Sequence, residues 1–448
     1  MPLYKEISPI CYDEELRAVF KLSKNRVSIP SIIMGEKLNI ETSINNGNER
    51  VNNYKIIVSS PLRIKPKCEV FTKCGGCALQ HLVYQQQLLL KDEVIKKLFS
   101  NMINANTKVY PIMGMNNPYH YRNKSQVVFK YKNGKNISGF YEEGTHEVIN
   151  FDNCYLQNEL SNKIFKTIKE LIIKMHISIY DEDKKTGIIR HILIKTAKNS
   201  EALVVIITGS SFFPGKNNFV KALTSRHPEI KSIIHNINGR SSSAVLGNEE
   251  EVIYGKGYII DDLLGYKFKI TSKSFYQINH LQTEVMYQKV IDFAKISSQD
   301  VVLDAYCGVG TIGILASKYA KKVIGVELVN DAVDNARYNA QLNKIKNISF
   351  FCQDASNFII NMARRKEKID VVIMDPPRSG STNEFLQSVL LLHPSRIVYV
   401  SCNPYTLVND LKVLLNDYQI EIVQPVDMFP ETYHIETITL LGLKEPKK

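Results

Sequence analysis

Apolar positions along the chain follow two patterns. From about residue 266 onward, short apolar runs ("VVLD", "VIGVE", "ISFFC", "DVVIMD" and "IVYVS") alternate with amphipathic stretches such as "DAVDNARYNAQLN". Runs of that length suit strands buried on both faces, and the stretches between them carry apolar residues at helical spacing. Strands spaced by helices predict an α/β, doubly wound, Rossmann-like parallel sheet with right-handed crossovers over 266–448. Upstream the pattern is less regular. Residues 1–60 hold short alternating segments, "EKLNIETSI" and "NYKIIVSS", around the polar break "NNGNER", which predicts a small β-rich module. Residues 61–265 mix strand-like segments ("KSQVVFKYK", "ALVVIIT", "SIIHNI") with the helical "NKIFKTIKELIIKM", an α+β pattern for a central domain. Residues 81–105 read as a helix expected to pack on a domain other than that of its sequence neighbours.

With 448 residues and 44% hydrophobic content, the chain can bury large cores in two or three domains. The longest apolar run, around Ala202 to Ile207, is strand-sized, and the N-terminus lacks the basic-then-apolar pattern of a signal peptide. A monomeric cytoplasmic protein with no membrane segment is expected. The formal charge of +12, from 57 Lys and Arg minus 45 Asp and Glu, suits a polyanionic partner such as a nucleic acid. A chain so rich in Lys, Asn and Ile would be basic from composition alone, so charge only adjusts the picture. Eight cysteines in such a chain favour metal or catalytic roles over disulfides.

"VVLDAYCGVGTIGI" reads as a strand, a tight turn and a helix start. Gly308 and Gly310 let backbone pass close to a ligand where a Cβ would clash. The next strand ends nineteen residues after Gly308 on Glu327, placed to accept bonds from ribose hydroxyls. Asp304, just before the turn, would repel a pyrophosphate but suits a cofactor carrying an ammonium group. That favours S-adenosylmethionine over a nicotinamide dinucleotide, and no Lys follows the glycines as a P-loop requires. Asp354 and Asp375 close the third and fourth strands. The "DPPRSG" that begins at Asp375 fixes a rigid loop without N–H donors at its prolines. Asp354 also reads as a plain helix cap.

The fifth strand, "IVYVSCNP", ends on Cys402, on the same edge as these acids. A thiol there can act as a nucleophile. A thiolate beside a methyl donor suits C5 of uracil, which attacks a sulfonium only after addition at C6 makes it carbanion-like. A base must then remove the C5 proton. Glu436, in "FPETYHIETITLL" and 34 residues after Cys402, is the candidate, with His434 the next. "KPKCEVFTKCGGCALQH" spaces Cys68, Cys74 and Cys77 as C-x5-C-x2-C, with Cys154 a remote fourth. Three clustered thiols plus one distant suit an iron–sulfur cluster better than paired zinc knuckles; zinc and free thiols are the alternatives. Cys11, Cys307 and Cys352 have no partners by spacing and read as small buried residues. In "NPYHYRNKSQVVF", Tyr121, Arg122 and Lys124, with Tyr119 and His120, mix stacking rings and phosphate-reaching cations.

"DAYCGVGT", "DPPRSG", "VSCNP" and "HIET", in that order, resemble the S-adenosylmethionine-dependent RNA uracil-5 methyltransferases. The resemblance runs from about residue 60 to 440. It implies that Cys402 is the nucleophile and Glu436 the proton-abstracting base. It also implies cofactor contacts at Gln277 (in "KSFYQIN"), Tyr306, Glu327 and Asp375, and places the "YRNK" segment beside the active site. The four-cysteine arrangement resembles members acting on bacterial 23S ribosomal RNA, which implies a 4Fe–4S cluster and that RNA as partner. The T-loop uridine of transfer RNA is the runner-up substrate, and a catalytically silent RNA-binding assembly factor the rival outside enzymes. RNA cytosine-5 methyltransferases normally carry a cysteine after the proline where this chain has Asp375-Pro376-Pro377-Arg378, which favours uracil. The N-terminal module sits where many relatives carry an RNA-binding barrel, and its acidic "YDEEL" is a poor match to one.

Overall fold

A computed structural model describes residues 2–23, 25–45, 48–132, 134–240 and 244–444; Asn46 and Gly47 of the polar break lie outside them. The C-terminal half is built on an eight-stranded sheet. Its order is Ile348–Cys352, Lys322–Glu327, Val301–Ala305, Val371–Met374, Arg396–Ser401, Glu436–Leu443, Tyr418–Val426, Lys108–Val109. The first five strands are parallel, and Glu436–Leu443 runs antiparallel to both its neighbours. Side chains alternate across the sheet, as strand geometry requires. Val302, Val323, Ile373 and Val398 face one core, with helices His280–Ala294 and Thr311–Ser317. Leu303, Ile324, Val372 and Tyr399 face the other, with Ala355–Arg364, Asn383–Leu392 and Pro404–Leu414. Winding starts at Val301–Ala305, proceeds outward one way, then restarts on the other side at Val371–Met374. In sheets wound this way, the loops leaving the two strands at the switch point splay apart and open a crevice at the carboxyl edge.

The central sheet has seven strands, in the order Val148–Asn150, Lys135–Tyr141, Lys124–Lys132, Ile189–Thr196, Ala202–Thr208, Ile230–Ile237, Glu249–Gly255. Only Ala202–Thr208 and Ile230–Ile237 pair in parallel, joined through helix Lys216–Arg226. The N-terminal segment forms two three-stranded sheets around Phe20, Leu22, Ile29, Leu38 and Ile40. Among the described residues no helix is long and apolar enough to cross a membrane.

Helix Tyr84–Phe99 does leave its sequence neighbours. Its Ile95 and Phe99 enter the core of the eight-stranded sheet, and Lys108–Val109 hydrogen-bonds to that sheet's edge strand. An ion pair pins it there: Lys91 Nζ lies 2.6 Å from Asp427, both side chains fully buried, and the Tyr84 hydroxyl donates to the other Asp427 oxygen at 2.8 Å. Removing one member of a buried pair strands the other charge. Lys91→Met is expected to lower stability by about 3–5 kcal/mol, and Lys91→Met with Asp427→Leu to recover much of it, measured by denaturant melts.

Candidate active site

Antiparallel pairing brings the thiol and the proposed base together. Ser401 pairs with Thr437 as the last pair of the ladder, so Cys402 leaves one strand and Glu436 enters the other one position beyond it, near enough for the Glu436 carboxylate to act on the thiol. Cys402 is the last residue before a built-in stop. The Asn403 side chain accepts the Tyr405 N–H at 3.1 Å, and Pro404 opens helix Pro404–Leu414, so the strand turns sharply at the thiol. Glu436 is 3% exposed. Burial pushes its carboxyl well above the usual carboxylate range, Asp375 adds to the push and Arg378 opposes it. Burial, then the Glu436 and Asp375 carboxylates, push the Cys402 thiol up to about 11 against the pull of Arg378.

Arg378 is the residue the sequence reading passed over. Its carbonyl accepts from Asn403 Nδ2 at 3.2 Å and Thr406 Oγ1 at 3.1 Å, and its Nη2 lies 3.3 Å from His434 Nε2. The signal was present: two acids and an ionisable thiol at one strand edge need a cation. Burial, helped by Arg378, Lys91 and Arg122, holds the His434 imidazole down to about 4 and therefore neutral at pH 7.

The turn after Val301–Ala305 takes left-handed backbone at Tyr306 (φ 63°), Gly308 (φ 54°) and Gly310 (φ 82°). A Cβ at Gly310 would come within 2.7 Å of the Phe350 ring, whereas at Gly308 it would meet nothing within 4 Å. The turn therefore packs on one side and faces open space on the other, as a bound cofactor needs. Glu327 accepts the N–H groups of Gly308 at 3.1 Å and Val329 at 2.9 Å, holding its carboxylate beside that space. The Tyr306 hydroxyl lies 2.7 Å from Ser381 Oγ, its ring 5.4 Å from that of Phe385. Gln277 is 8% exposed, and Tyr287, buried on helix His280–Ala294, hydrogen-bonds with it and with Thr311. Asp375 is partly buried, and burial pushes its carboxyl up to about 7. Asp354 caps helix Ala355–Arg364 through the Asn357 N–H at 2.9 Å. Tyr306, Gly308, Gly310, Glu327, Asp354, Asp375, Cys402 and Glu436 thus share one edge of the sheet.

Asp304 does not join them. Its carboxyl is 1% exposed and accepts the Gly313 N–H at 2.7 Å. The tight turn sets the helix start over the strand end, so this acid ties the two together and does not face an ammonium group. Burial pushes it up to about 8.

Cys68, Cys74, Cys77 and Cys154 line one cavity of about 600 Å³ with Gly76, Gln80, Arg122 and Lys124. Burial pushes Cys74 up to about 11 and raises Cys77 and Cys154, and the neighbouring thiols add to it. Among the described residues no group of three or more His, Cys, Asp or Glu is arranged to hold a metal ion, so the thiols stand around the cavity without converging on one point. Cys307 is buried, but Cys11 and Cys352 are exposed, contrary to expectation; each lies on a strand with an accessible face.

The aromatic and basic segment also differs from its reading. Tyr121 is 7% exposed and its hydroxyl donates to the Pro430 carbonyl at 3.0 Å, so its ring cannot stack on a base. Arg122 turns into the cysteine cavity. The backbone is bonded on both sides, Arg122 N–H to Leu156 O at 2.9 Å and Asn123 N–H to Ile278 O at 2.8 Å. A segment flanked this way is a buried strap, which composition does not reveal. Lys124 alone of the three stays exposed.

Over residues 83–444 the chain matches the family described as tRNA (Uracil-5-)-methyltransferase. It is 40% identical over 431 residues to an uncharacterized RNA methyltransferase of Clostridium tetani, covering 96% of this chain and 94% of that one. It is 38% identical over 434 residues to an uncharacterized RNA methyltransferase of Staphylococcus aureus, covering 96% of each. In three dimensions it is similar to the tRNA (uracil-54, C5)-methyltransferase of Pyrococcus abyssi in complex with S-adenosyl-L-homocysteine. That likeness has a TM-score of 0.79 at 25% identity and covers 98% of this chain and all of the other.

A thiol raised to about 11 has a testable signature. Alkylation of Cys402, followed by peptide mass spectrometry, should climb about tenfold per pH unit up to about pH 10, where an ordinary thiol levels off near its pKa of about 8.5. Arg378→Ala should slow it further. A plateau below pH 9 would contradict the assigned environment.

Proposed function

The chain belongs to the tRNA (uracil-5-)-methyltransferase family, and from that premise we propose that it methylates C5 of a specific uridine in 23S ribosomal RNA through a covalent adduct between Cys402 and C6. The observation that carries this reading is that Cys402 and Glu436 both stand just beyond the last pair of one ladder, where the Glu436 carboxylate acts on the thiol. S-adenosylmethionine, when bound, supplies the methyl group as a sulfonium. The open side of the turn at Gly308 leaves it room, with Gln277, Tyr306, Gly310, Glu327, Asp354 and Asp375 around it.

The Cys402 thiol loses its proton, favoured by the Arg378 cation, and its sulfur bonds to C6 as the C5–C6 π pair moves out to the C4 oxygen. C5 then carries the electron density to take the methyl group. Glu436 removes the proton from C5, the pair left behind re-forms the C5–C6 double bond, and the C6–S bond breaks to return the thiolate. The thiol proton passes to solvent and is regained by the thiolate at the end, so the net release per turnover is the one proton taken from C5. A buried carboxylate with a raised pKa is a stronger base than an exposed one, which suits abstraction from carbon. His434 stands beside it as a neutral ring held by Arg378, so it can orient without competing for the proton. Lys124 is the one member of the basic segment left to reach RNA phosphate.

The ribosomal substrate and a 4Fe–4S cluster on Cys68, Cys74, Cys77 and Cys154 rest on the resemblance of the cysteine spacing. The four free thiols line one cavity, as the ligands of one cluster must. Its role would be structural, since methyl transfer to an activated C5 needs no electron. The T-loop uridine of transfer RNA is the second reading, favoured by the likeness to the Pyrococcus abyssi enzyme.

Incubation with methyl-labelled cofactor and unmodified 23S or transfer RNA, followed by mapping, separates the two substrates. Label in 23S RNA is expected; label in transfer RNA alone would promote the second reading. Cys402→Ala should remove both turnover and adduct. Glu436→Gln should slow turnover by about 10²–10⁴-fold while a denaturation-resistant protein–RNA complex accumulates. Normal turnover by Glu436→Gln would move the base to His434. Protein purified anaerobically should be brown, with about four irons per chain, and Cys74→Ser colourless. A colourless, fully active zinc protein would overturn the cluster.

A further inference from the structure

The loop from Asp427 to Ile435, which delivers Glu436 to the crevice edge, is held by residues from distant parts of the chain. Gln282 Nε2 donates to the Asp427 carbonyl at 3.1 Å and Asn279 Nδ2 to that of Met428 at 2.9 Å. The N–H groups of Ala78 and Leu79, immediately after Cys77, both donate to the Glu431 carbonyl, at 2.9 and 3.0 Å. Tyr433 packs with Leu79, Leu82 and Leu90.

Glu431 is the odd member of this loop. It is 1% exposed and holds φ at 66°, a backbone that favours glycine. Its carboxylate accepts Gln87 Nε2 at 3.1 Å and bonds to Tyr119, and its own N–H donates to Gln87 Oε1 at 3.3 Å. A loop needing only that backbone would take Gly or Asn. A buried glutamate there, fixed by main chain and side chain together, points to a requirement for this loop in one position.

We propose that Glu431 is a positioning residue for Glu436, fixing the loop against helix Tyr84–Phe99 and the turn after Cys77 so that the base stands opposite Cys402. The inference rests on the reading of Glu436 as base. It also makes the wall of the cysteine cavity part of the base's support, because the two amides that clamp Glu431 follow a thiol lining that cavity.

The step that depends on Glu436 is release of the adduct, so the test separates release from what precedes it. Full-length protein is mixed with cofactor and RNA in a single turnover, quenched in denaturant, and its covalent RNA fraction followed over time. Cofactor affinity and melting temperature are measured beside it. Glu431→Ala should form the adduct at the wild-type rate and release it about 100-fold more slowly, as expected when a reacting group is misplaced by about 1 Å. Glu431→Gln, whose carbonyl accepts the same bonds, should restore release. Glu431→Gly relaxes the positive φ and should behave as Glu431→Ala does even where its melting temperature is unchanged. Release at the wild-type rate in Glu431→Ala would overturn the proposal. So would an equal loss in every step with a lowered melting temperature, the mark of a structural role alone. If wild-type protein forms neither adduct nor product, the base assignment falls and takes the inference with it.

Discussion

One strand running against its neighbours sets the form of this site. Five parallel strands present only carboxyl ends at the crevice edge, so each can deliver a residue just after it leaves the sheet. Glu436–Leu443, inserted antiparallel beside Arg396–Ser401, brings an amino end to that same edge. A residue leaving one strand and a residue entering the next then meet in register. Slipping the pairing by one residue would turn Glu436 to the opposite face of the sheet. Ile438, Leu440 and Leu441, buried in cores on both faces, resist that slip, so the hydrophobic cores fix the distance between thiol and carboxyl.

Placing those groups at a buried edge has an electrostatic consequence. Burial raises Cys402, Glu436 and Asp375 together, and each carboxylate makes ionising the thiol harder. Arg378 is the nearby counter-charge and comes from the rigid Pro-Pro loop, so the same segment that begins at Asp375 also supplies the cation. The exposed guanidinium keeps most of its hydration, which lets it favour the thiolate without the desolvation cost a buried Arg would carry.

The doubly wound half was legible because strands buried on both faces leave continuous apolar runs, and no other common element of that length does. The antiparallel direction of Glu436–Leu443 was not, since an apolar run reads the same parallel or antiparallel. The two-residue strand Lys108–Val109 is too short to show any period. In the candidate site, Cys402 and Glu436 stand out in the sequence because their residue types fall where strands begin and end. Asp304 was misread because sequence places a carboxylate at a strand end without saying whether it faces the cleft or a helix amide. Tyr121 and Arg122 were misread for a related reason: rings and cations mark an RNA surface only when solvent reaches them, and two flanking segments cover these.

That strap explains how regions so far apart in sequence share one site. Asn123 donates from Nδ2 to the carbonyl of Gln277 at 2.9 Å, while Arg122 beside it reaches the cysteine cavity and Tyr121 holds the loop before Glu436. Three consecutive residues therefore touch the Gln277 segment, the thiol cavity and the loop before Glu436. The aromatic and basic residues expected to bind RNA instead join the elements that would bind and modify it. A rearrangement at the cavity wall would reach the Gln277 segment through the backbone and side-chain amides of Asn123 and the loop before Glu436 through the Tyr121 hydroxyl.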